Sequence, residues 1–358
     1  MSDNFRPRLG IYTGDQPGHS DMLNFDESRF LSIQGGAVAL AARIDAIIGE
    51  ALAAGAPNIH FLGAGGAAIL MQPAAQLLRR RSTFPVFDDL TAELLVTPSP
   101  NLTKASIVVI PSLSGTTKES VEMLALAKSR GATIITLIGH AATPLGEGDH
   151  HVLVNYAADD TSSESFYIQS LLIALAVLKH RGEIDNYDAL LAEMQGLPWQ
   201  LLAMKKAIEP RADAFARRIA DHDYHIFTGA GPIWPETFYF GMCILEEMQW
   251  IRTRPVHASD FFHGTLELVE KGVSVVVLKG EDETRPLAER VERFVPTVGG
   301  ELTVIDTADY PTQGLSAELR GLLGPAFLAT LLERISAHLE VMRNHPLTTR
   351  RYYRRVAY

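Results

Sequence analysis

One short segment concentrates side chains that could bind an anion. It has the sequence Pro111-Ser112-Leu113-Ser114-Gly115-Thr116-Thr117-Lys118-Glu119 and lies between a predicted strand and a predicted helix. Free backbone N–H groups and the helix dipole favour an anion at such a junction. The side chains add four hydroxyl donors: Ser112, Ser114, Thr116 and Thr117. Hydroxyl residues also cap helices, but four of them around Gly115 exceed what one cap requires, so the pattern predicts a phosphate monoester site.

A second set of residues could move protons. Glu246 and Glu247 close a predicted helix, and His263 follows in the segment Phe261-Phe262-His263-Gly264-Thr265-Leu266-Glu267. A carboxylate and an imidazole together suit a proton shift between adjacent carbons of a sugar, with acid–base help at the ring oxygen. From residue types alone, a solvated helix-end charge and a surface histidine explain the same pattern.

A glycine turn leaves a different enzyme class open. Gly63-Ala64-Gly65-Gly66-Ala67-Ala68 fits the dinucleotide fingerprint G-x-G-x-x-A, and Asp88 and Asp89 lie about where a ribose-binding acid would stand. Glycines after a first strand are also needed simply for a tight turn. A nicotinamide-dependent dehydrogenase is therefore the lesser alternative, and a thermal-shift screen of nicotinamide cofactors against sugar phosphates would discriminate it. The anion segment lacks the G-K-[ST] order of a nucleotide-binding loop, which argues against an NTPase.

Strands and helices alternate along the chain, which predicts an α/β fold with mostly parallel sheets covered on both faces. The predicted strands of the first half are Ile59–Leu62, Ser106–Ile110, Thr133–Ile138 and His151–Asn155, and its predicted helices are Phe30–Ala54, Ala67–Arg80, Thr117–Arg130 and Ser165–His180. The second half repeats the alternation with strands Tyr224–Thr228, Val273–Leu278 and Leu302–Asp306 and helices Pro235–Met248, Thr284–Phe294 and Leu322–Leu339.

Two similar stretches of the sequence indicate a duplication. His60-Phe61-Leu62-Gly63-Ala64-Gly65-Gly66 resembles His225-Ile226-Phe227-Thr228-Gly229-Ala230-Gly231-Pro232, and both stretches open an α/β half. The predicted organisation is an N-terminal segment 1–29, a first domain 30–195, a second domain 196–345 and a C-terminal tail 346–358.

Composition restricts the class of protein. The 358 residues are 47% hydrophobic and 21% charged, which is ordinary for a globular protein of two domains. The net charge of −10 makes nonspecific nucleic-acid binding unfavourable, and one cysteine, Cys243, excludes a disulfide framework. The longest apolar runs are strand-length and no signal peptide opens the chain, so we expect a cytoplasmic protein without a membrane or nucleic-acid partner.

The anion segment resembles a known family signature. Ser112-Leu113-Ser114-Gly115-Thr116-Thr117 is similar to the S-x-S-G-x-T motif of sugar isomerase (SIS) domains, as in the isomerase half of glucosamine-6-phosphate synthase. The resemblance implies two tandem SIS domains, each a flavodoxin-like parallel sheet flanked by helices. It further implies that Ser112, Ser114 and Thr117 hold a sugar phosphate together with Gly115 and Thr116, next to the turn at Gly65 and Gly66. Ala67 departs from the synthase pattern, where another phosphate-binding hydroxyl stands.

The resemblance also assigns the acid and the base. Glu247 falls where SIS isomerases keep the proton-transferring glutamate, with Glu246 as the fallback. His263-Gly264 resembles the family's ring-opening H-G-P motif, with Thr265 in place of proline, and the sixteen-residue separation from Glu247 matches the family. In related enzymes the histidine often comes from a second subunit, so the resemblance implies a homodimer or homotetramer with shared active sites.

Longer segments resemble one subfamily, the fructosamine-6-phosphate deglycases. They are Ala258–Glu267, Lys279–Pro286 and the tail segment His345–Tyr353. Such enzymes split a 6-phosphorylated Amadori compound into glucose 6-phosphate and an amino acid or amine, by Glu/His proton transfer and imine hydrolysis. The resemblance implies no metal and no organic cofactor.

Besides the dehydrogenase, three alternatives to a deglycase stay open. Two are a simple aldose–ketose isomerase and an ammonia-dependent aminosugar-phosphate enzyme; the start Met1-Ser2-Asp3 argues against a glutamine-dependent synthase, which needs an N-terminal cysteine. The third is a regulatory sugar-phosphate sensor, for which residues 1–29 are too short and too acidic to supply a DNA-binding segment. The tail carries a basic aromatic strip that consists of Arg350, Arg351, Arg354 and Arg355 with Tyr352, Tyr353 and Tyr358. The strip is either solvated or docked on the protein's own acidic surface, or it folds over an active site and helps to close it.

Overall fold

Two parallel β-sheets organise the part of the chain that the structure describes. The computed structural model describes residues 22–158, 162–310, 312–353 and 355–357. The first sheet contains β1 (Ile59–Phe61), β2 (Val86–Phe87), β3 (Ile107–Ser112), β4 (Thr133–Ile138) and β5 (His151–Val154). The second contains β6 (Tyr224–Gly229), β7 (Arg252–His257), β8 (Ser274–Lys279) and β9 (Glu301–Asp306).

The strand orders of the two sheets repeat one another. The first sheet runs β2-β1-β3-β4-β5 and the second runs β7-β6-β8-β9, with every pair parallel. The first order is that of flavodoxin-like sheets. The expected α/β fold with flavodoxin-like parallel sheets is therefore confirmed, and the second sheet matches the first strand for strand up to its fourth strand.

Helices cover these sheets and join them. Those of the first half are α1 (Glu27–Ala39), α2 (Ala41–Ala53), α3 (Gly66–Ile69), α4 (Gln72–Arg81), α5 (Thr91–Val96), α6 (Lys118–Arg130), α7 (Ser162–His180) and α8 (Tyr187–Met194). Those of the second half are α9 (Leu197–Ala220), α10 (Ile233–Tyr239), α11 (Arg285–Phe294) and α12 (Ala317–Met342), with a π-helix, Phe240–Glu246, directly after α10.

Several predicted helices are interrupted in the structure. The predicted helix Phe30–Ala54 is two helices, α1 and α2, which meet at Leu40. By length and composition the stretch Glu27–Ala53 could cross a membrane, which the sequence prediction overlooked. Both of its helices instead pack their apolar faces against α7 in the hydrophobic core. The predicted helix Ala67–Arg80 is likewise divided into α3 and α4.

Strand β7 was not predicted from the sequence. Its Pro255 has no N–H to donate, and prolines are therefore confined to the edges of sheets. The strand order places β7 at an edge of the second sheet, beside β6, where that proline is tolerated.

The central strands and the helices between the sheets form the core. Every residue of β3 and of β8 is buried. Helix α7 of the first half packs with α12 of the second, and a single hydrophobic cluster contains side chains from both. The five strands of the first sheet lie within 30–195, and the four strands of the second lie within 196–345. The hydrophobic core, however, is shared between the two halves. The division into those two domains therefore stays a prediction.

A buried ion network ties the start of the described chain to α9 and α12. Arg334 is fully buried and donates to both carboxylate oxygens of Glu209, at 2.7 and 3.0 Å. The Leu23 N–H and His338 Nε2 also lie 2.9 Å from that carboxylate. Burial alone would raise the pKa of Glu209, but these hydrogen bonds outweigh it and lower the pKa to about 2.

We expect this network to make the protein acid-sensitive. A carboxyl whose folded-state pKa is depressed stabilises the fold above its unfolded pKa, here about 4.5, and that stabilisation is lost as the pH falls toward about 2. Urea unfolding at a series of pH values should therefore show the free energy of unfolding falling across this window. In Glu209→Gln the fall should be shallower than in the parent; an identical slope would contradict the assignment.

Candidate functional site

The predicted anion segment forms a tight loop at the carboxyl end of β3. Ser112 ends the strand, and Thr117 is the residue immediately before α6. The Ser112 and Thr117 hydroxyl oxygens lie 3.2 Å apart, and the Gly115 N–H donates to the Ser112 hydroxyl oxygen at 3.1 Å. Because the carboxyl end of a parallel strand and the start of the next helix both face this loop, it is suited to an anion.

Gly115 is required by the shape of this loop. Its φ of +63° is a left-handed conformation that residues with a side chain rarely adopt. A Cβ atom there would lie 2.1 Å from the Thr143 hydroxyl oxygen. The role that the structure gives Gly115 is thus to close the loop.

The two remaining hydroxyls bond to each other. The Thr116 hydroxyl donates to the Ser114 hydroxyl oxygen at 3.0 Å, and the Thr116 N–H lies 3.3 Å from the same oxygen. Ser114 faces the cavity described next, whereas Thr116 is exposed and does not line it. Thr116 therefore supports Ser114 from outside.

A cavity of about 210 Å³ lies where the first half meets the helix that follows β6. Its lining comes from the turn after β1, the anion loop, the start of α7, the α10–π-helix segment and the tail. The lining side chains and backbone include Ala64, Gly66, Ala67, Ser112, Ser114, Thr117, Ser162, Phe166, Tyr239, Cys243, Glu247, Arg350 and Tyr353. The structure thus brings three of the predicted hydroxyls and Glu247 to one cavity, although they lie far apart in the sequence.

Glu247 lies at the end of the π-helix and meets the tail. Its N–H donates to the Met242 carbonyl at 3.1 Å, five residues back, which is the π-helical spacing. Its carboxylate accepts from Arg350 Nε at 2.8 Å. Arg350 also donates to the Leu347 and Thr349 carbonyls, so the guanidinium is fixed in place by the tail itself. The neighbouring Glu246 is exposed, accepts from the Thr253 hydroxyl and does not line the cavity.

The glycine turn after β1 lies against the second half of the chain. Gly66 lines the cavity, and a Cβ atom on it would lie 2.7 Å from Tyr239 Cε2 and 3.4 Å from Cys243 Sγ. Gly65 has a φ of +55°, and its carbonyl accepts from the Ala68 and Ile69 N–H groups. The turn therefore needs its glycines for local geometry and for close packing of α10 and the π-helix.

The structure does not place His263 in this cavity. It is exposed, at the end of the 3₁₀-helix Phe261–His263, and it is not among the described residues that line the cavity. Within one chain Glu247 and His263 are thus not brought together. The predicted pairing requires His263 from a second copy of the chain.

Sequence reasoning missed part of the cavity wall. Tyr239, Ser162 and Phe166 carry no recognisable motif, and their position follows only from the packing of α7 and α10. Arg350 and Tyr353 belong to the basic aromatic strip of the tail, and both line the cavity. Arg354 and Tyr358 of that strip lie outside the described residues. Cys243, expected to be a core residue, is buried, and burial raises the pKa of its thiol.

The counterpart of the anion loop in the second half is acidic. It is the loop Gly280–Thr284 between β8 and α11, and it carries Glu281, Asp282 and Glu283. The Glu281 carboxylate is held by Arg320, and Asp282 accepts from the Thr284 N–H at 2.9 Å. Carboxylates repel a phosphate, so of the two equivalent loops only the one after β3 is suited to bind it.

No metal centre was found among the described residues. No three of their His, Cys, Asp or Glu side chains are grouped so that they could hold a metal ion. In the dehydrogenase alternative, Asp88 and Asp89 were the candidate ribose ligands, and the side chain of the first already has a partner. It is paired with Arg79 through two hydrogen bonds of 2.6 and 3.0 Å.

Comparisons with known proteins identify the family. Residues 53–179 match the SIS domain model. The chain is 30% identical over 309 residues to fructosamine deglycase FrlB of Bacillus subtilis, covering 84% of this chain and 92% of that protein. It is 25% identical over 315 residues to fructoselysine 6-phosphate deglycase of Escherichia coli K12, covering 87% of this chain and 89% of that protein.

A solved structure shares the fold. A provisionally assigned phosphosugar isomerase from Salmonella typhimurium LT2 superposes with a TM-score of 0.83 at 28% identity, covering 90% of this chain and 97% of that one. The fold, the matched domain and the near full-length similarity to FrlB agree, and this chain therefore belongs to the SIS-domain family of sugar isomerases and fructosamine deglycases.

Proposed function

We propose that the protein is a deglycase that splits a 6-phosphorylated fructosamine into glucose 6-phosphate and an amino acid or amine. One observation carries the proposal: a single cavity joins Ser112, Ser114 and Thr117 to the carboxylate of Glu247. The similarity to two named deglycases over most of both chains supports this substrate over a simple ketose phosphate.

In the proposed mechanism the phosphate binds in the anion loop, and Glu247 reacts at the other end of the open-chain sugar. Glu247 takes a proton from C1 of the ketosamine and returns it at C2. The C2 oxygen gains a proton and the nitrogen loses its own, by exchange with water, so the ketone becomes a hydroxyl and the C1–N bond becomes an imine. Water then adds to the imine carbon, the amine leaves, and the C1 aldehyde of glucose 6-phosphate remains. These steps balance without a metal or an organic cofactor.

We propose that His263 of a second copy of the chain assists ring opening. The support is its exposed position on a short 3₁₀-helix away from the cavity of its own chain. The active form is then a homodimer or homotetramer of a soluble cytoplasmic enzyme. Light scattering measures the number of subunits, and the activity of mixed Glu247→Gln and His263→Ala subunits tests whether they share a site. Mixing two inactive variants should restore part of the activity if the site is shared, and no recovery would contradict it.

A direct assay tests the activity. The purified protein should release glucose 6-phosphate from 6-phosphofructosyl amino acids, measured by coupled oxidation with glucose-6-phosphate dehydrogenase. Interconversion of free aldose and ketose phosphates without release from any such compound would instead favour the isomerase alternative.

The anion loop offers a matched pair of variants. Thr117→Val removes a hydroxyl that lines the cavity, and Thr116→Val removes one that does not. A hydrogen bond to a charged group contributes about 1.5–3 kcal/mol, so we expect Thr117→Val to lower kcat/KM by roughly 10- to 150-fold, mainly through KM. Thr116→Val should cost less than about threefold. Equal losses in the two variants would contradict the assignment of Thr117 to the phosphate.

A further inference from the structure

An open groove of about 790 Å³ adjoins the central cavity. The two share Glu247, Arg350 and Tyr353, which form the wall between them. If the phosphate of the sugar lies in the anion loop and C1 lies at Glu247, then C1 is next to this wall, because Glu247 is part of it. A group attached to C1 is therefore directed into the groove.

The groove is basic and aromatic. Its lining contains four arginines against three carboxyl groups. One carboxyl group, Glu247, is paired with Arg350, and another, Glu246, accepts from a threonine hydroxyl. The remaining arginines are Arg252, Arg343 and Arg351. Asp223 is the third carboxyl group, and a hydroxyl donor does not neutralise Glu246, so four arginines against three carboxylates leave the groove with a formal charge of about +1.

These three arginines can offer donors to a ligand. Arg252 and Arg343 are exposed, and the one hydrogen bond found for Arg343 goes to the Gln249 carbonyl at 3.3 Å. Arg351 stacks on the Trp250 ring, 3.9 Å from its centroid, which fixes its guanidinium plane. The forked donors of a guanidinium match the two oxygens of a carboxylate.

A second cavity, of about 310 Å³, is acidic, but its carboxyl groups already have partners. Glu164 and Glu333 are paired with Lys205, at 3.0 and 2.6 Å. Glu236 accepts from the Tyr167 hydroxyl at 2.8 Å, and Glu340 accepts from the Leu347 N–H. Glu247 does not line this cavity. It therefore offers a poorer path for the group on C1.

We propose that the basic groove binds the amine part of the substrate as an amino acid with a free carboxylate, recognised by Arg252, Arg343 and Arg351. This inference rests on the proposed deglycase activity and narrows its substrate class. The substrate is an amino acid glycated at its α-amino group, because that linkage leaves the carboxylate two bonds from the nitrogen and inside the groove. Amines without a carboxylate are poor substrates.

Two matched compounds test the recognition. 6-Phosphofructosyl-alanine and 6-phosphofructosyl-ethylamine differ only in the carboxylate, and we expect kcat/KM to be at least about tenfold higher for the alanine compound. Equal values, or a preference for ethylamine, would overturn the inference while leaving the deglycase activity in place. Release of glucose 6-phosphate from neither compound, while a lysine compound linked through its side-chain nitrogen is split, would overturn the inference alone. Release from none of these compounds would remove the proposed activity as well.

A charge-matched pair of variants assigns the preference to the groove. In Arg252→Gln the ratio of the two kcat/KM values should fall about tenfold, whereas in Arg293→Gln, an exposed arginine on α11 outside the groove, the ratio should stay as in the parent. Thermal unfolding of both variants verifies that they fold. An unchanged ratio in Arg252→Gln, or the same fall in both variants, would overturn the role of the groove.

Discussion

Replacing Glu247 by Gln is expected to lower kcat by about 10²- to 10⁴-fold, the usual contribution of a positioned acid–base group. The amide keeps the shape of the carboxylate but cannot accept a proton from C1. The phosphate contacts in the anion loop are untouched, so KM should change little. Steady-state assays of glucose 6-phosphate release measure both constants.

Glu246→Gln is the matched control for this variant. Glu246 is the next residue along the chain, but it is exposed and bonds to Thr253 rather than lining the central cavity. Its substitution should change kcat by less than about fivefold, because no proton transfer is lost. An inactive Glu246→Gln together with an active Glu247→Gln would contradict the assignment of Glu247 as the proton-transferring residue.

The largest expected loss of stability follows from Lys205→Met. Lys205 is fully buried on α9, where its ammonium pairs with Glu164 of α7 and Glu333 of α12. Burial disfavours its charged form, yet the two carboxylates outweigh this and raise the pKa of Lys205. Removing one partner of a buried ion pair costs about 3–5 kcal/mol, because the remaining charge has no compensation. Urea unfolding should show a loss of this size.

Lys206→Met is the control, because the neighbouring lysine makes an exposed pair. Lys206 is half exposed and lies 2.9 Å from Glu27, so its loss should cost less than about 1 kcal/mol. Adding Glu164→Gln and Glu333→Gln to Lys205→Met should recover part of the stability, since the stranded charges disappear. Similar losses for Lys205→Met and Lys206→Met would contradict the buried network.

The fold class was accessible from the sequence because it depends on local patterns. The buried strands β3 and β8 each contain a continuous apolar run, and the glycine turns after β1 and β6 mark equivalent points of the two halves. Strand β7 was not predicted because it contains Pro255. Proline is unusual in strands and is tolerated here because β7 lies at the edge of the sheet. The break at Leu40 carries no glycine or proline, so no sequence pattern marked it.

The candidate site was accessible only in part. The hydroxyl loop is continuous in sequence, and its Ser112, Ser114 and Thr117 line the cavity as one group. Thr116 points elsewhere, which a motif cannot show because it depends on how the loop turns at Gly115. The contact of Arg350 with Glu247 spans 103 positions, so it arises from tertiary packing alone. His263 is exposed and does not line the cavity of its own chain, so its predicted pairing with Glu247 stays a prediction.

The π-helix has a direct effect on which glutamate faces the cavity. A π-helical turn inserts one extra residue relative to an α-helix and so rotates everything that follows it. Tyr239, just before the π-helix, and Cys243, within it, both lie against Gly66. Glu247, just after the π-helix, lines the same cavity as these two residues. A regular helical periodicity applied to the sequence therefore cannot decide between Glu246 and Glu247.

The contact of Gly66 with Tyr239 also sets the distance between the turn after β1 and the helix that carries Tyr239. The turn beside the anion loop and the helix that carries Glu247 touch through a glycine with no room for a methyl group. The anion loop and Glu247, at the two ends of the cavity, are thus held at a set separation. If the sugar binds as proposed, with its phosphate in the anion loop and C1 at Glu247, we expect a six-carbon backbone to be preferred, since a pentulose 5-phosphate bound at the same end would fall one bond short of the carboxylate.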